Sequence, residues 1–98
     1  MTIEMKKNGS ALTVSLAGRL DTVTSPDLEK ALADALADVK ELTFDLAKLE
    51  YVSSAGLRVL LSAQKKMSVA GKMVVKNVSE TVNEIFEVTG FSDILTLE

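Results

Sequence analysis

The apolar positions of this chain change period several times, and each change marks an element. Ile3 and Met5 alternate with Glu4 and Lys6, the two-residue period of a half-buried strand. Asn8-Gly9 follows, a hairpin signal because both residue types tolerate positive φ. Leu12, Val14 and Leu16 then alternate with Thr13 and Ser15, so two antiparallel strands are expected to open the chain. A polar connection, Gly18 to Thr24, leads to Ser25-Pro26-Asp27. That triplet supplies a capping hydroxyl, a proline for the first helical position and an acid for the first turn. Leu28, Ala31, Leu32, Ala35, Leu36 and Val39 recur at helical spacing, with Asp27, Glu29, Lys30, Asp34 and Asp38 on the wet side. Such charges normally form a solvated face and no more.

The period returns to two at Leu42, Phe44 and Leu46, which alternate with Thr43 and Asp45. A third strand is expected there, followed by a connection over Lys48–Gly56. The next helix places Leu57, Leu60, Leu61 and Met67 on one face, widened by Val59, Ala63 and Ala70, and Gly71 takes the C′ role. Met73 to Lys76 reads as a short buried strand. Asn77 or Ser79 caps a third helix carrying Val82, Ile85 and Phe86, and Gly90 stops it, with Phe91 folding back on Phe86 as in a Schellman motif. Ile94, Leu95 and Leu97 fit either a last edge strand or a terminal helical turn.

The order β-β-α-β-α-β-α plus a C-terminal tail predicts an α/β fold with a mixed sheet of four to five strands. The sheet starts from an N-terminal hairpin and grows by parallel crossovers, with helices packed on it. No linker, repeat or low-complexity stretch interrupts residues 1–98, so one domain is expected. The carboxyl ends of the second and third strands then open on one edge, where α/β folds tend to meet ligands and partners. Arg19–Ser25 and Lys48–Gly56 are the most hydroxyl-rich connections, and they are expected to lie side by side there.

Composition narrows the chemistry. Of 98 residues, 47% are hydrophobic and 26% charged, the balance of a folded soluble chain. Eleven basic against fourteen acidic residues give a net charge of -3. Direct nucleic-acid binding, which needs a basic surface, is not expected. With no Cys and no His, disulfides, thiolate zinc sites and the Ser-His-Asp arrangement are excluded together. Neither a cofactor nor a metal is expected. The N-terminus lacks a signal-peptide core and no apolar run approaches the roughly 18 residues of a membrane span, so a cytoplasmic chain is expected.

The tight turn Ser53-Ser54-Ala55-Gly56 remains the candidate site. Read plainly, Ser54 or Ser53 caps the second helix, and Asp21 is a loop residue bonded to its own backbone. Tyr51, the only tyrosine, reads as a partly buried anchor. A serine nucleophile needs a base in reach, and the nearby amines of Lys48, Lys65 and Lys66 look solvated. Asp21 and Asp45 are the one carboxylate pair to consider, but Asp45 lies on the polar alternation of its strand. No phosphate-cradling glycine loop is present, so catalysis is not expected. A hydroxyl at a helix N-terminus does lie where an added anion is stabilised.

Two segments carry a resemblance to a known family. Phe44-Asp45-Leu46 through Leu49-Glu50-Tyr51-Val52-Ser53-Ser54-Ala55-Gly56-Leu57-Arg58-Val59-Leu60-Leu61 resembles the signature of the STAS domain family. Val14-Ser15-Leu16-Ala17-Gly18-Arg19-Leu20-Asp21 matches that family's other recurrent segment, and the likeness runs on to Gly90-Phe91. Within the family, the chain is most similar to the stand-alone anti-sigma factor antagonists.

The resemblance implies a binding switch. In such antagonists the unmodified protein binds an anti-sigma factor that is also a serine kinase, which frees a sigma factor. The kinase phosphorylates a serine at the start of the second helix, and a serine phosphatase reverses the step. Ser54 aligns with that serine. The implied partner surface comprises Asp21, Thr22, Thr24 and Ser25 together with Ser53, Ser54, Ala55, Gly56 and Arg58. The chain departs from the strictest motif in that Ser53 replaces an acidic residue and Ala55 a second serine, which makes Ser53 an alternative site. A monomer is expected when free. The alternative reading is an adaptor of the same fold, never phosphorylated, in a transporter or a larger signalling complex.

Overall fold

Alternation along the first two strands is answered by alternating burial. The computed structural model describes all 98 residues, Met1–Glu98. β1 (Thr2–Asn8) and β2 (Ala11–Leu20) pair antiparallel, and Leu12, Val14 and Leu16 are buried. Asn8 pairs with Ala11, so the two-residue loop is Gly9-Ser10, and only Gly9 has positive φ (63°). The Asn-Gly signal therefore locates the hairpin one residue early: asparagine belongs to the strand, and the glycine takes the first central position of the turn.

β2 leads through α1 (Ser25–Ala35) to β3 (Glu41–Val52), and β3 leads through α2 (Ser54–Ala70) to β4 (Lys72–Lys76). β3 pairs parallel with both β2 and β4, so the sheet order is β1-β2-β3-β4. α3 (Glu80–Thr89) and a 3-10 turn at Phe91–Asp93 complete the chain. All 23 buried hydrophobic residues form one cluster, drawn from the sheet and from all three helices. One sheet face is therefore covered. Ser15, Thr43, Asp45 and Val74 on the other are only half-buried.

Three element boundaries differ from the expectation. α1 ends at Ala35, although Leu36 and Val39 are buried beyond it. The chain must turn there because Lys40 and Glu41 N–H both donate to Ser10 O, which fixes the start of β3 beside β2. β3 runs to Val52, through most of the expected connection. Its register against β2 slips between Ser15 and Ala17 and again between Gly18 and Arg19. Each slip inserts one extra β3 residue, so burial follows Leu46, Leu49 and Val52 instead of alternating. That hides the strand from a two-residue period. Ser25, expected to cap α1, is instead its first residue, with Thr24 in the cap position.

The helix ends differ in detail as well. The buried stripe of α2 is Gly56, Leu57, Val59, Leu60, Ala63 and Met67, whereas Leu61 is half-buried and Ala70 exposed. Ser79 caps α3 through Val82 N–H, while Asn77 adopts φ 57° and donates its amide to Asp45. Gly90 ends α3 in the left-handed region (φ 81°) and donates to Glu87 O. Phe91 then enters the 3-10 turn instead of closing a Schellman pairing. The tail adds a single bridge, Leu97 to Val75, and buries Leu95. The sheet thus has four strands, and the tail is partly a turn and partly an edge contact.

Candidate functional site

The last residues of β2 and β3 lie side by side, Leu20 opposite Val52. Ser53 N–H donates to Leu20 O at 2.8 Å. The two hydroxyl-rich segments, one after each strand, are therefore joined at their root by a backbone bond.

The segment after β2 is a closed hydrogen-bonded turn. Asp21 Oδ1 accepts from Val23 N–H at 3.0 Å, from Thr24 N–H at 3.0 Å and from the Thr24 hydroxyl at 3.2 Å. Thr24 Oγ1 in turn accepts from Asp21 N–H at 2.9 Å, and its one proton is shared between Arg19 O at 2.8 Å and Asp21 Oδ1. The Thr24 backbone N–H is the main cause holding the Asp21 carboxyl below its ordinary range. Desolvation opposes it as the next largest effect, and the Thr24 hydroxyl, Val23 N–H and the Arg19 guanidinium each add a smaller lowering. Ser25 is buried and its hydroxyl donates to Asp21 O. Of the expected surface residues, Asp21, Thr24 and Ser25 thus build the turn, and Thr22 stands exposed on it.

The segment after β3 separates the two serines. Ser53 is the N-cap of α2: its backbone is extended and its Oγ accepts from Gly56 N–H at 3.3 Å. Ser54 is the first helical residue, exposed, with a hydroxyl that makes no hydrogen bond. Arg58 lies four residues on, hence on the same helix face, and it too is exposed and free of any ion pair. Gly56 is buried, packed against the ends of β2 and β3. A Cβ there would lie 2.7 Å from Leu20 Cγ and 2.8 Å from Leu20 O. Only glycine lets the first turn of α2 settle this closely on the end of β2.

Thr22, Pro26, Glu29, Ala55 and Arg58 line a shallow hollow of about 270 Å³ between the first turns of α1 and α2. The fold thus gathers all nine expected residues into one corner. Asp45 is not part of it. It pairs with Ser15, six residues back along β2 from Asp21, roughly 20 Å at strand rise. Its carboxyl is held low, first by the Asn77 amide and then by Ala47 N–H.

Two features of this corner escaped the sequence reading. The Arg19 guanidinium sits 4.4 Å above the Tyr51 ring and 4.0 Å from Asp21 Oδ2. Val23, at the tip of the turn, is 82% exposed. The stacking pair was out of reach because only the slipped register sets Arg19 opposite Tyr51. Val23 carries a weak signal in the sequence, an apolar residue inside a polar connection.

Comparison with known proteins gives concordant matches. A family model for the STAS domain matches residues 2–98. BtrV of Bordetella bronchiseptica is 37% identical over 97 residues, covering 96% of this chain and 83% of BtrV. The anti-sigma-B factor antagonist of Listeria monocytogenes is 31% identical over 103 residues, covering 100% and 89%. The anti-sigma factor antagonist SpoIIAA, a cell fate determinant of Bacillus, shares the fold. Its unphosphorylated form superposes with a TM-score of 0.84 at 19% identity, covering 99% of this chain and 88% of SpoIIAA. Its phosphorylated form gives 0.76 at 18% identity, covering 99% and 91%.

Proposed function

From a chain that belongs to the STAS domain family, we propose an anti-sigma factor antagonist switched by phosphorylation at Ser54. The unmodified chain binds an anti-sigma factor that is also a serine kinase, and a sigma factor is released. Phosphoryl transfer to Ser54 Oγ ends the binding, and a serine phosphatase restores it. The proteins meet in the cytoplasm. The chain is a substrate and binding partner here, not an enzyme.

The observation that carries this reading is the division of labour between Ser53 and Ser54. Ser53 holds the helix cap, so Ser54 is free to be modified without unwinding the helix. A phosphate there adds about -1.5 to -2 charges at pH 7. In the free protein the positive end of α2 offsets it by roughly 0.3–1 kcal/mol, and Arg58 lies one turn along. In a complex the same group must be desolvated and accommodated against the kinase surface. The fold survives and the interface does not.

Mass spectrometry on the protein isolated from its own cells, across growth and stress, tests the site. The expected result is a single phosphate on Ser54 whose occupancy varies with conditions. Phosphate on Ser53 would move the site by one residue. A uniformly unmodified protein would overturn the switch in favour of a constitutive adaptor. Ser54→Asp is expected to keep the thermal midpoint of the wild type while losing affinity for the anti-sigma factor in a calorimetric titration.

A further inference from the structure

Three valines stand largely in water: Val23 at 82%, Val69 at 91% and Val88 at 79% exposure. Val69 and Val88 lie in the last turns of α2 and α3, and isolated exposed apolar residues of that kind are common. Val23 differs in what holds it. Its own N–H is bound to Asp21 Oδ1, the next N–H is bound to the same oxygen, and Thr24 Oγ1 ties the turn back to Arg19 and Asp21. The turn is rooted in the sheet through Leu20 O and the N–H of Ser53.

A side chain carried on such a turn docks with little further loss of backbone freedom, which is the usual cost of binding through a loop. Its surroundings have the make-up of an interface. Arg19 lies stacked on Tyr51, and arginine and tyrosine are the residue types enriched at binding centres. Thr22 shares a hollow with Ala55 and Arg58. Arg58 has no ionic partner within the chain.

We propose that Val23 is the apolar anchor of the partner contact, seated in an apolar socket of the anti-sigma factor whose rim offers a carboxylate to Arg58. The proposal rests on the function proposed above and names what that partner must present. The internally bonded turn then serves to hold Val23 out, and the hydroxyls around it satisfy the turn itself.

The test is calorimetric titration of the full chain against each purified anti-sigma factor of its source organism, with matched Val→Ser variants at the three exposed positions. Val23→Ser is expected to weaken binding by roughly tenfold or more, the scale of burying one valine side chain, with an unchanged thermal midpoint. Val69→Ser and Val88→Ser are expected to bind within about twofold of the wild type, and Val23→Ile to retain affinity, by the same burial argument. If the wild type binds while Val23→Ser binds equally well, the anchor is overturned and the antagonist reading stands. If the wild type binds none of these proteins, the antagonist reading falls and the anchor falls with it.

Discussion

Ser53 and Ser54 are chemically identical neighbours, and one residue of helix geometry gives them different work. The hydroxyl at the cap position is spent on Gly56 N–H; the next one points into solvent. Removing a capping hydroxyl typically costs about 1 kcal/mol, whereas an exposed substitution away from such features stays within about 0.5 kcal/mol. Ser53→Ala is therefore expected to lower the urea midpoint measurably and keep the phosphate acceptor. Ser54→Ala is expected to keep the midpoint and abolish labelling by the kinase. Equal midpoints for the two variants would contradict the assignment of the cap. Local sequence left open which of these two serines caps the helix, because a cap is defined by backbone torsion and a serine suits either position.

At the scale of elements, α2 is set by a glycine at each end, and neither is needed for a left-handed torsion. Gly56 seats the first turn against Leu20 and Val52. Gly71 has an extended φ of 174°, and a Cβ there would lie 1.8 Å from Lys40 O, inside the backbone of the segment before β3. Overpacking of this kind costs about 1–3 kcal/mol. Both Gly56→Ala and Gly71→Ala are expected to be destabilised in chemical denaturation, Gly71→Ala more so because its Cβ would come within 1.8 Å of Lys40 O, against 2.7 Å from Leu20 Cγ and 2.8 Å from Leu20 O at Gly56. Only Gly56→Ala is expected also to weaken partner binding under conditions where both variants are folded, since it shifts Ser54 and lies at the site's end of the sheet. Gly71 was legible as a helix terminator, but its physical reason, a close approach by Lys40, depends on a segment remote in sequence.

The stability of the whole molecule is expected to fall in acid through specific carboxylates. Asp21 and Asp45 both titrate below the ordinary value of 3.8, Asp21 chiefly through Thr24 N–H and Asp45 chiefly through the Asn77 amide. A group whose folded pKa is depressed contributes stability that is present above its unfolded pKa and lost as pH falls through the folded one. The window therefore lies below about pH 4. In urea titrations, the gap between the wild type and Asp21→Asn is expected to be constant from neutral pH down to about 5 and to close in more acid solution. A gap that persisted in strong acid would mean that the carboxamide disrupts the turn for reasons other than charge. The same comparison at Asp45 probes the tie between β3 and the residue after β4, at a distance from the site.

Local pattern determined the order of elements, the hairpin, the crossovers and the apolar face of each helix. These follow from periods of two and 3.6 that survive wherever a strand or helix is regular. It also identified the serine turn and brought the two hydroxyl-rich segments to one edge, because parallel strands that follow one another must open the same way. Only the tertiary structure decided where α1 stops, how far β3 extends, which serine caps α2 and which expected contact residues are buried. Each of these depends on a partner distant in sequence. Ser10 O receives Lys40, the slipped register sets Arg19 beside Tyr51, and Leu20 closes on Ser53 and Gly56. A bulge erases its own periodicity, and a close backbone approach leaves no mark except a small residue whose neighbour the chain alone does not name.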